Sequence, residues 1–243
     1  SVYRIEKEGF EAADAIITVS NLTRNIVINN YQINPQKITT VYNAVEQTDL
    51  GFSLQQNKKS VDEKVVTFLG RITMQKGPEY FIEAAYKVLQ NMSNVRFVMA
   101  GSGDMMDKMV KRAASLGITD KFHFTGFLKG EDVSRMFSQS DLYIMPSVSE
   151  PFGISPLEAM QSGVPVIISK QSGVSEILKH AIKIDFWDID KMANVIYSVL
   201  SYPALSKTIS INGRNEANNL KWDDSAKKVY QIYKNTLNKT AKN

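Results

Sequence analysis

The 243-residue sequence predicts an α/β fold, a Rossmann-like parallel sheet flanked by helices. Three observations carry that prediction. Short apolar runs alternate with segments of helical periodicity through the middle of the chain. The short runs are rich in β-branched residues and do not alternate with polar ones, which marks strands buried on both faces. Repeated strand–helix units of this kind place their strands parallel in one sheet, and such sheets bind ligands beyond the carboxyl ends of the strands.

The elements follow in order. Residues 15–19 read as a strand, 22–30 as a helix and 38–41 as a strand, closed by a turn at Asn43-Ala44. Residues 50–64 are polar and aperiodic (Gln55, Gln56, Asn57, Lys58, Lys59, Ser60) and read as a loop. The repeating part starts with a strand at 65–69 and a helix at 78–89. It continues with a strand at 95–100 and a helix at 105–116, then a strand at 122–124 and a helix at 132–137. Next come a strand at 142–145 with a helix at 156–161, a strand at 166–168 with a helix at 174–179, and a last strand at 182–184. Residues 188–238 form a run of helical patterns, of which 222–237 carries an apolar stripe through Ala226, Val229, Tyr230 and Tyr233. The expected organisation is 1–46, 47–220 as the main Rossmann-like domain, and 221–243 as a C-terminal helix.

Composition narrows the function classes. Lys and Arg number 29 against 25 Asp and Glu, a mild net charge of +4 that suits an anionic ligand or an anionic surface without demanding either. No Lys/Arg run is interleaved with aromatics, which argues against nucleic acid. No apolar run reaches the roughly 18 residues of a membrane span. The charged start (Arg4, Glu6, Lys7, Glu8) does not read as a signal peptide. With no cysteine, disulfides and thiolate metal sites are excluded and a cytoplasmic location is favoured. His123 and His180 are the only histidines, so no metal cofactor is expected, and His123, within Phe122-His123-Phe124, reads as structural.

The stretch Ser149-Glu150-Pro151-Phe152-Gly153-Ile154-Ser155-Pro156-Leu157-Glu158-Ala159-Met160 is the richest in chemistry. Two carboxylates flank a Gly-containing loop and a strong helix start. Ser155 suits the cap, Pro156 the first helical position, and Glu158 would complete a capping box. Free N–H groups of Phe152, Gly153, Ile154 and Ser155 at such a start favour an anion, typically phosphate. Carboxylates do not bind phosphate but accept hydrogen bonds from hydroxyls, as on a sugar or ribose. Anion site and hydroxyl acceptors together suggest a nucleotide-sugar pocket. Gly101 and Gly103 form a G-x-G turn, but Met106 stands where a dinucleotide fingerprint needs a third small residue, so NAD binding is rejected.

Five segments in order resemble the retaining glycosyltransferases of family 4 (group 1), whose GT-B architecture faces two Rossmann-like domains. They are Phe68-Leu69-Gly70-Arg71 with Lys76-Gly77, Ala100-Gly101-Ser102-Gly103, Phe124-Thr125-Gly126-Phe127, the E-x7-E pair Glu150 and Glu158, and Ser172-Gly173-Val174-Ser175-Glu176. The resemblance covers roughly residues 12 to 238 and identifies the chain as the C-terminal, donor-binding half of a GT-B glycosyltransferase. Residues 1–46 correspond to the end of the N-terminal acceptor domain and the hinge, where Ala44 replaces the usual Gly, and the last helix to the one that crosses back towards that domain.

The resemblance implies that Arg71 and Lys76 stabilise the departing diphosphate in place of a metal. It places Glu150 beside the transferred sugar and Glu158 on the ribose hydroxyls. Gly70, Gly101, Phe127 and Leu128 join the donor pocket, the last two through their backbone at the base. Glu176 lies in a loop that resembles the family's donor-sugar loop, although a first-turn Glu also stabilises a helix through its dipole. The implied reaction is metal-independent glycosyl transfer with retention from a nucleoside diphosphate sugar, UDP-sugars ahead of GDP- and ADP-sugars. The acceptor, a carbohydrate, a lipid-linked molecule or a protein, would be read mainly by the N-terminal domain, and a lipid-linked one would bring a peripheral place at the inner face of the membrane. The competing reading is a non-catalytic nucleotide-sugar-binding partner or scaffold of another glycosyltransferase, and a GT-B epimerase or phosphorylase is a third option.

Overall fold

The computed structural model describes residues 1–46 and 63–240. The loop expected over 50–64 lies outside the described residues except at its end, where Lys64 already opens a strand. Eight strands and nine α-helices are found among the described residues.

A small unit comes first. Helix α1 (Val2–Ala12) has no counterpart in the sequence expectations. Strand β1 (Ile16–Thr18), helix α2 (Asn21–Tyr31) and strand β2 (Ile38–Thr40) follow, and β1 and β2 pair in parallel. Ser20 caps α2, its Oγ accepting from the Thr23 N–H at 3.0 Å. Ile16, Val27, Ile33 and Ile38 form the core of this unit. Tyr3 stacks on Tyr31 with ring centroids 4.9 Å apart, which ties α1 down without burying any of its residues.

The second sheet has six parallel strands: β3 (Lys64–Leu69), β4 (Val95–Ala100), β5 (Phe122–Gly126), β6 (Leu142–Met145), β7 (Val166–Ser169) and β8 (Ile182–Ile184). Their order is β5-β4-β3-β6-β7-β8. It reverses between β3 and β6, which creates the crevice where ligands of open α/β sheets bind. The strands are linked by α3 (Pro78–Leu89), α4 (Met106–Ser115), α5 (Glu131–Gln139) and α6 (Ser155–Gln161). Then come α7 (Ile189–Ser201), α8 (Pro203–Asn218) and α9 (Trp222–Thr240).

Side chains alternate across the sheet as the pleat requires. Val66, Phe68, Phe97, Leu142, Ile144 and Ile167 pack on one face with α3 and α7, while Tyr143, Met145, Val166 and Ile168 pack on the other with α6. All four residues of β6 and of β7 are buried, as the non-alternating runs predict. Strand β5 differs because it is the edge strand: only Phe122 is buried, and His123 is exposed rather than held in an apolar interior.

Two elements depart from expectation. The helix expected over 174–179 is a single 3₁₀ turn, Gly173–Glu176. Ser175 Oγ bonds the carbonyls of Lys170 and Ser172, and the N–H groups of Lys179 and His180 donate to the Glu216 carboxylate at 2.7 and 2.9 Å instead of continuing a helix. In α9 the stripe is largely uncovered, with Tyr230, Tyr233 and Leu237 exposed. The start of α9 is fixed against the first unit, where Ser225 Oγ donates to the Tyr42 carbonyl at 2.7 Å.

Candidate functional site

Loops after β3 and β6 meet at the point where the strand order reverses. Their closeness depends on glycine. At Gly77, with φ 68°, a Cβ would fall 2.1 Å from the Pro146 carbonyl oxygen, so no other residue lets the two loops touch. The Val148 N–H donates to the Gln75 carbonyl at 2.9 Å and completes the seam. The β3 loop is held from its other side by the G-x-G turn after β4. Ile72 N–H donates to Ser102 O at 2.9 Å, and a Cβ on Gly101 would lie 1.8 Å from Gly70 O. Gly101 is buried, so this close packing is its visible constraint.

This seam brings Lys76 against Glu150. The Lys76 Nζ and Glu150 Oε2 form a close ion pair. Glu150 is only 7% exposed, and an uncompensated charge there would be costly. Its backbone is fixed too: its N–H donates to Gln171 O at 3.1 Å and its carbonyl accepts from Gly173 N–H at 2.9 Å. Arg71 follows β3 on the same side. It is exposed and has no side-chain partner among the described residues. The structure therefore gathers Gly70, Arg71, Lys76 and Glu150 at one crevice.

The start of α6 corrects one sequence reading. Ile154, not Ser155, is the N-cap, and no side chain caps the helix. Ser155 is the first helical residue, and its Oγ accepts from the buried Tyr143 OH at 2.9 Å. Glu158 is thereby displaced one position down the helix from where a capping box needs it. The first-turn N–H groups of Leu157 and Glu158 are satisfied by the Ile154 carbonyl, whereas those of Gly153, Ile154 and Ser155 have no acceptor among the described residues. Gly153 turns the chain here with φ 98°. Phe152 does not face out; it is buried beside the Tyr42 ring.

Glu158 is half-buried and has no side-chain hydrogen bond among the described residues. Burial pushes its carboxyl above the usual carboxylate range. It lines a cavity of about 700 Å³ together with Leu69, Leu128 and Ile154 on one side and Arg214 and Trp222 on another. Leu128 thus reaches the cavity, while the Phe127 ring is 73% exposed beside it. The turn that carries both is fixed, since Gly126 O accepts from Gly101 N–H at 2.8 Å.

Glu176 is engaged elsewhere. Its two carboxylate oxygens accept from the N–H groups of Asn21 and Leu22, at 2.9 and 2.6 Å, and from the Tyr42 OH at 2.8 Å. It stabilises a helix start, but that of α2 rather than its own. Sequence reasoning also missed Gly77 as the pivot of the seam, Tyr143 as the partner of Ser155, and Arg214. Gly77 carried a local signal, a glycine between Lys76 and Pro78. Tyr143 reads as core from sequence, and Arg214 reaches the cavity only through the packing of α8 on α6. Among the described residues, no group of three His, Asp or Glu side chains is placed to hold a metal ion, and no helix is long and apolar enough to cross a membrane.

Residues 52–216 match the family model of glycosyl transferases group 1, and residues 1–48 match that of glycosyltransferase family 4. The chain is 34% identical over 233 residues to an uncharacterized glycosyltransferase of Methanocaldococcus jannaschii, covering 90% of this chain and 59% of that protein. It is 25% identical to a D-inositol 3-phosphate glycosyltransferase of Salinispora arenicola, with 94% of this chain and 56% of the relative covered. Among solved structures, Anabaena HepE in complex with UDP and glucose superposes with a TM-score of 0.79 at 20% identity, over 91% of this chain and 63% of that one. The chain thus spans somewhat more than half the length of these relatives, and it belongs to the group 1 glycosyltransferase family of GT-B architecture.

Proposed function

We propose that this chain is the donor-binding part of a retaining glycosyltransferase that takes a nucleoside diphosphate sugar, UDP-sugars foremost, and works without a divalent metal. The observation that carries this reading is the crevice where Arg71 and the Lys76–Glu150 pair lie between the β3 and β6 loops, beside a cavity lined by Glu158.

In this reading the nucleoside occupies the cavity. Glu158 accepts from the ribose hydroxyls, and the backbone at Phe127 and Leu128 meets the base. The N–H groups of Gly153, Ile154 and Ser155 and the cations of Arg71 and Lys76 receive the diphosphate. As the anomeric C–O bond breaks, its electron pair goes to the diphosphate, and fixed cations offset the charge that develops there. The acceptor hydroxyl oxygen forms the new bond on the same face, and its proton passes to the departing phosphate oxygen. Glu150 lies where it can hold the sugar hydroxyls and offset positive charge at the anomeric carbon. The HepE complex with UDP and glucose supports the donor class by likeness of fold.

The acceptor, whether carbohydrate, lipid-linked or protein, is assigned mainly to sequence beyond these 243 residues, in keeping with the 59% coverage of the Methanocaldococcus relative. A cytoplasmic protein, at the inner face of the membrane for a lipid-linked acceptor, fits this assignment. The test is thermal stabilisation by UDP, GDP, ADP, their sugars and NAD, in EDTA. A rise in Tm with one nucleoside diphosphate series and none with NAD supports the reading by mass action. No shift with any of them would mean that this part cannot hold its ligand alone or that the chain is a non-binding scaffold.

A further inference from the structure

The segment Ser172–Glu176 touches two parts of the molecule at once. On one side it is bonded to the loop that carries Glu150: Gly173 N–H donates to Glu150 O at 2.9 Å and Val174 N–H to Phe152 O at 2.8 Å. On the other it meets the first unit. A Cβ on Gly173 would lie 2.2 Å from Pro151 O and 2.5 Å from Ser20 Cβ, so the α2 cap, the Glu150 loop and this segment converge on one point. Glu176 closes the contact. Its carboxylate takes the two free N–H groups of the α2 start and the Tyr42 OH, which also accepts from Asn21 Nδ2 at 2.8 Å. A carboxylate at a helix N-terminus satisfies orphan donors and the dipole together. Burial, then the Glu176 bond, pushes the Tyr42 phenol up to about 12, so it stays a hydrogen-bond donor throughout the physiological range.

We infer that Glu176 is a positioning residue that holds α2 and Tyr42 in register with the loop carrying Glu150, and so sets the grip of the site on the nucleoside diphosphate. It bridges the segment that matches one family model, residues 1–48, and the segment that matches the other, residues 52–216. The inference rests on the donor-site reading above for its ligand and on the contacts alone for its geometry. A displaced α2 would pull Ser20 from Gly173 and Tyr42 from Phe152, and the Glu150 loop would lose its backing without losing a residue that touches substrate.

Amide hydrogen exchange and UDP calorimetry on Glu176→Gln, with Tyr42→Phe as a milder variant, test it. The amide side chain keeps the shape of Glu176 but turns an NH₂ towards one of the donors that its two oxygens now accept from, either the Leu22 N–H or the Asn21 N–H with the Tyr42 OH. The expected result is exchange about tenfold faster at Asn21, Leu22, Gly173 and Val174, UDP affinity about tenfold weaker, and unchanged protection in β4 and β6. Tyr42→Phe should move the same quantities less. Faster exchange at Asn21 and Leu22 with Gly173, Val174 and UDP affinity unchanged would make Glu176 a local cap and overturn the inference. Unchanged exchange at Asn21 and Leu22 would overturn it as well. Should the unaltered chain bind no nucleoside diphosphate, the donor-site reading falls, and exchange at Gly173 and Val174 alone decides for or against the positioning role.

Discussion

Glu150 and Glu158 stand eight positions apart in one short stretch and end in opposite environments. Glu150 lies on a loop held by backbone bonds on both sides, buried, with its charge matched by Lys76. Glu158 lies on α6, half-buried, with no side-chain hydrogen bond among the described residues and a carboxyl pushed up by burial. Identical side chains so placed are suited to different work. A paired carboxylate in a rigid loop can present a fixed charge, whereas an unpartnered one at a cavity wall has its lone pairs open to hydroxyl donors.

The largest way to break this comparison is to remove the cation. Lys76→Ala leaves Glu150 buried without its partner and should cost about 3 kcal/mol of stability, as for one half of a buried pair. Urea unfolding measures it, and a midpoint equal to that of the unaltered chain would mean that Glu150 is solvated after all. Gly101→Ala comes next. Its Cβ would fall 1.8 Å from Gly70 O at φ 138°, so the β3 loop must shift. We expect about 2 kcal/mol of destabilisation together with weaker UDP binding, because Arg71 and Lys76 ride on that loop. Full UDP affinity in the variant would show that the loop position does not matter to the anion.

Glu158→Gln sharpens the contrast through pH. A carboxyl raised in the folded state binds its proton there while the unfolded chain has already lost it, so its burial lowers stability as pH rises. The loss accrues from the unperturbed value of about 4.3 up to the raised one and is constant above. The variant lacks this slope. Its Tm relative to the unaltered chain should therefore climb across that window and level off, and a parallel pair of Tm curves would remove the case for a strained Glu158. For the nucleoside, the same variant should lose ribose contacts and bind UDP more weakly. The smallest effect is expected from Ser155→Ala, about 0.5 kcal/mol by thermal melting, since Tyr143 OH keeps Leu69 O at 3.3 Å as an alternative acceptor. A cost above about 1.5 kcal/mol would point back to a capping role for Ser155.

Much of the fold was legible locally. The strands at Val95–Ala100, Leu142–Met145 and Ile182–Ile184 and the helix Pro78–Leu89 have the bounds the apolar pattern predicts, because period and punctuation are local properties. The 3₁₀ turn at Gly173–Glu176 was not legible, since what stops a helix there is Glu216, forty positions further along the chain from Glu176, drawing away the Lys179 and His180 N–H groups. Helix α1 packs mainly through its Tyr3 and Phe10 rings on Tyr31 and buries no residue, so little in its own sequence marks it.

For the candidate site, residue types and their places after the strands were readable: cations after β3, carboxylates and a glycine turn after β6. Partners were not. That Lys76 meets Glu150, that Ser155 serves Tyr143 rather than its own helix, and that Glu176 caps α2 all depend on contacts between segments far apart in sequence. The sequence by itself determined the parallel sheet and the place of its glycine-bearing and charged loops after the strands, because hydrophobic period, turn glycines and charge are carried by the residues themselves. Only the tertiary structure decided which carboxylate is paired and which is left open, because burial and hydrogen bonding are properties of neighbours in space.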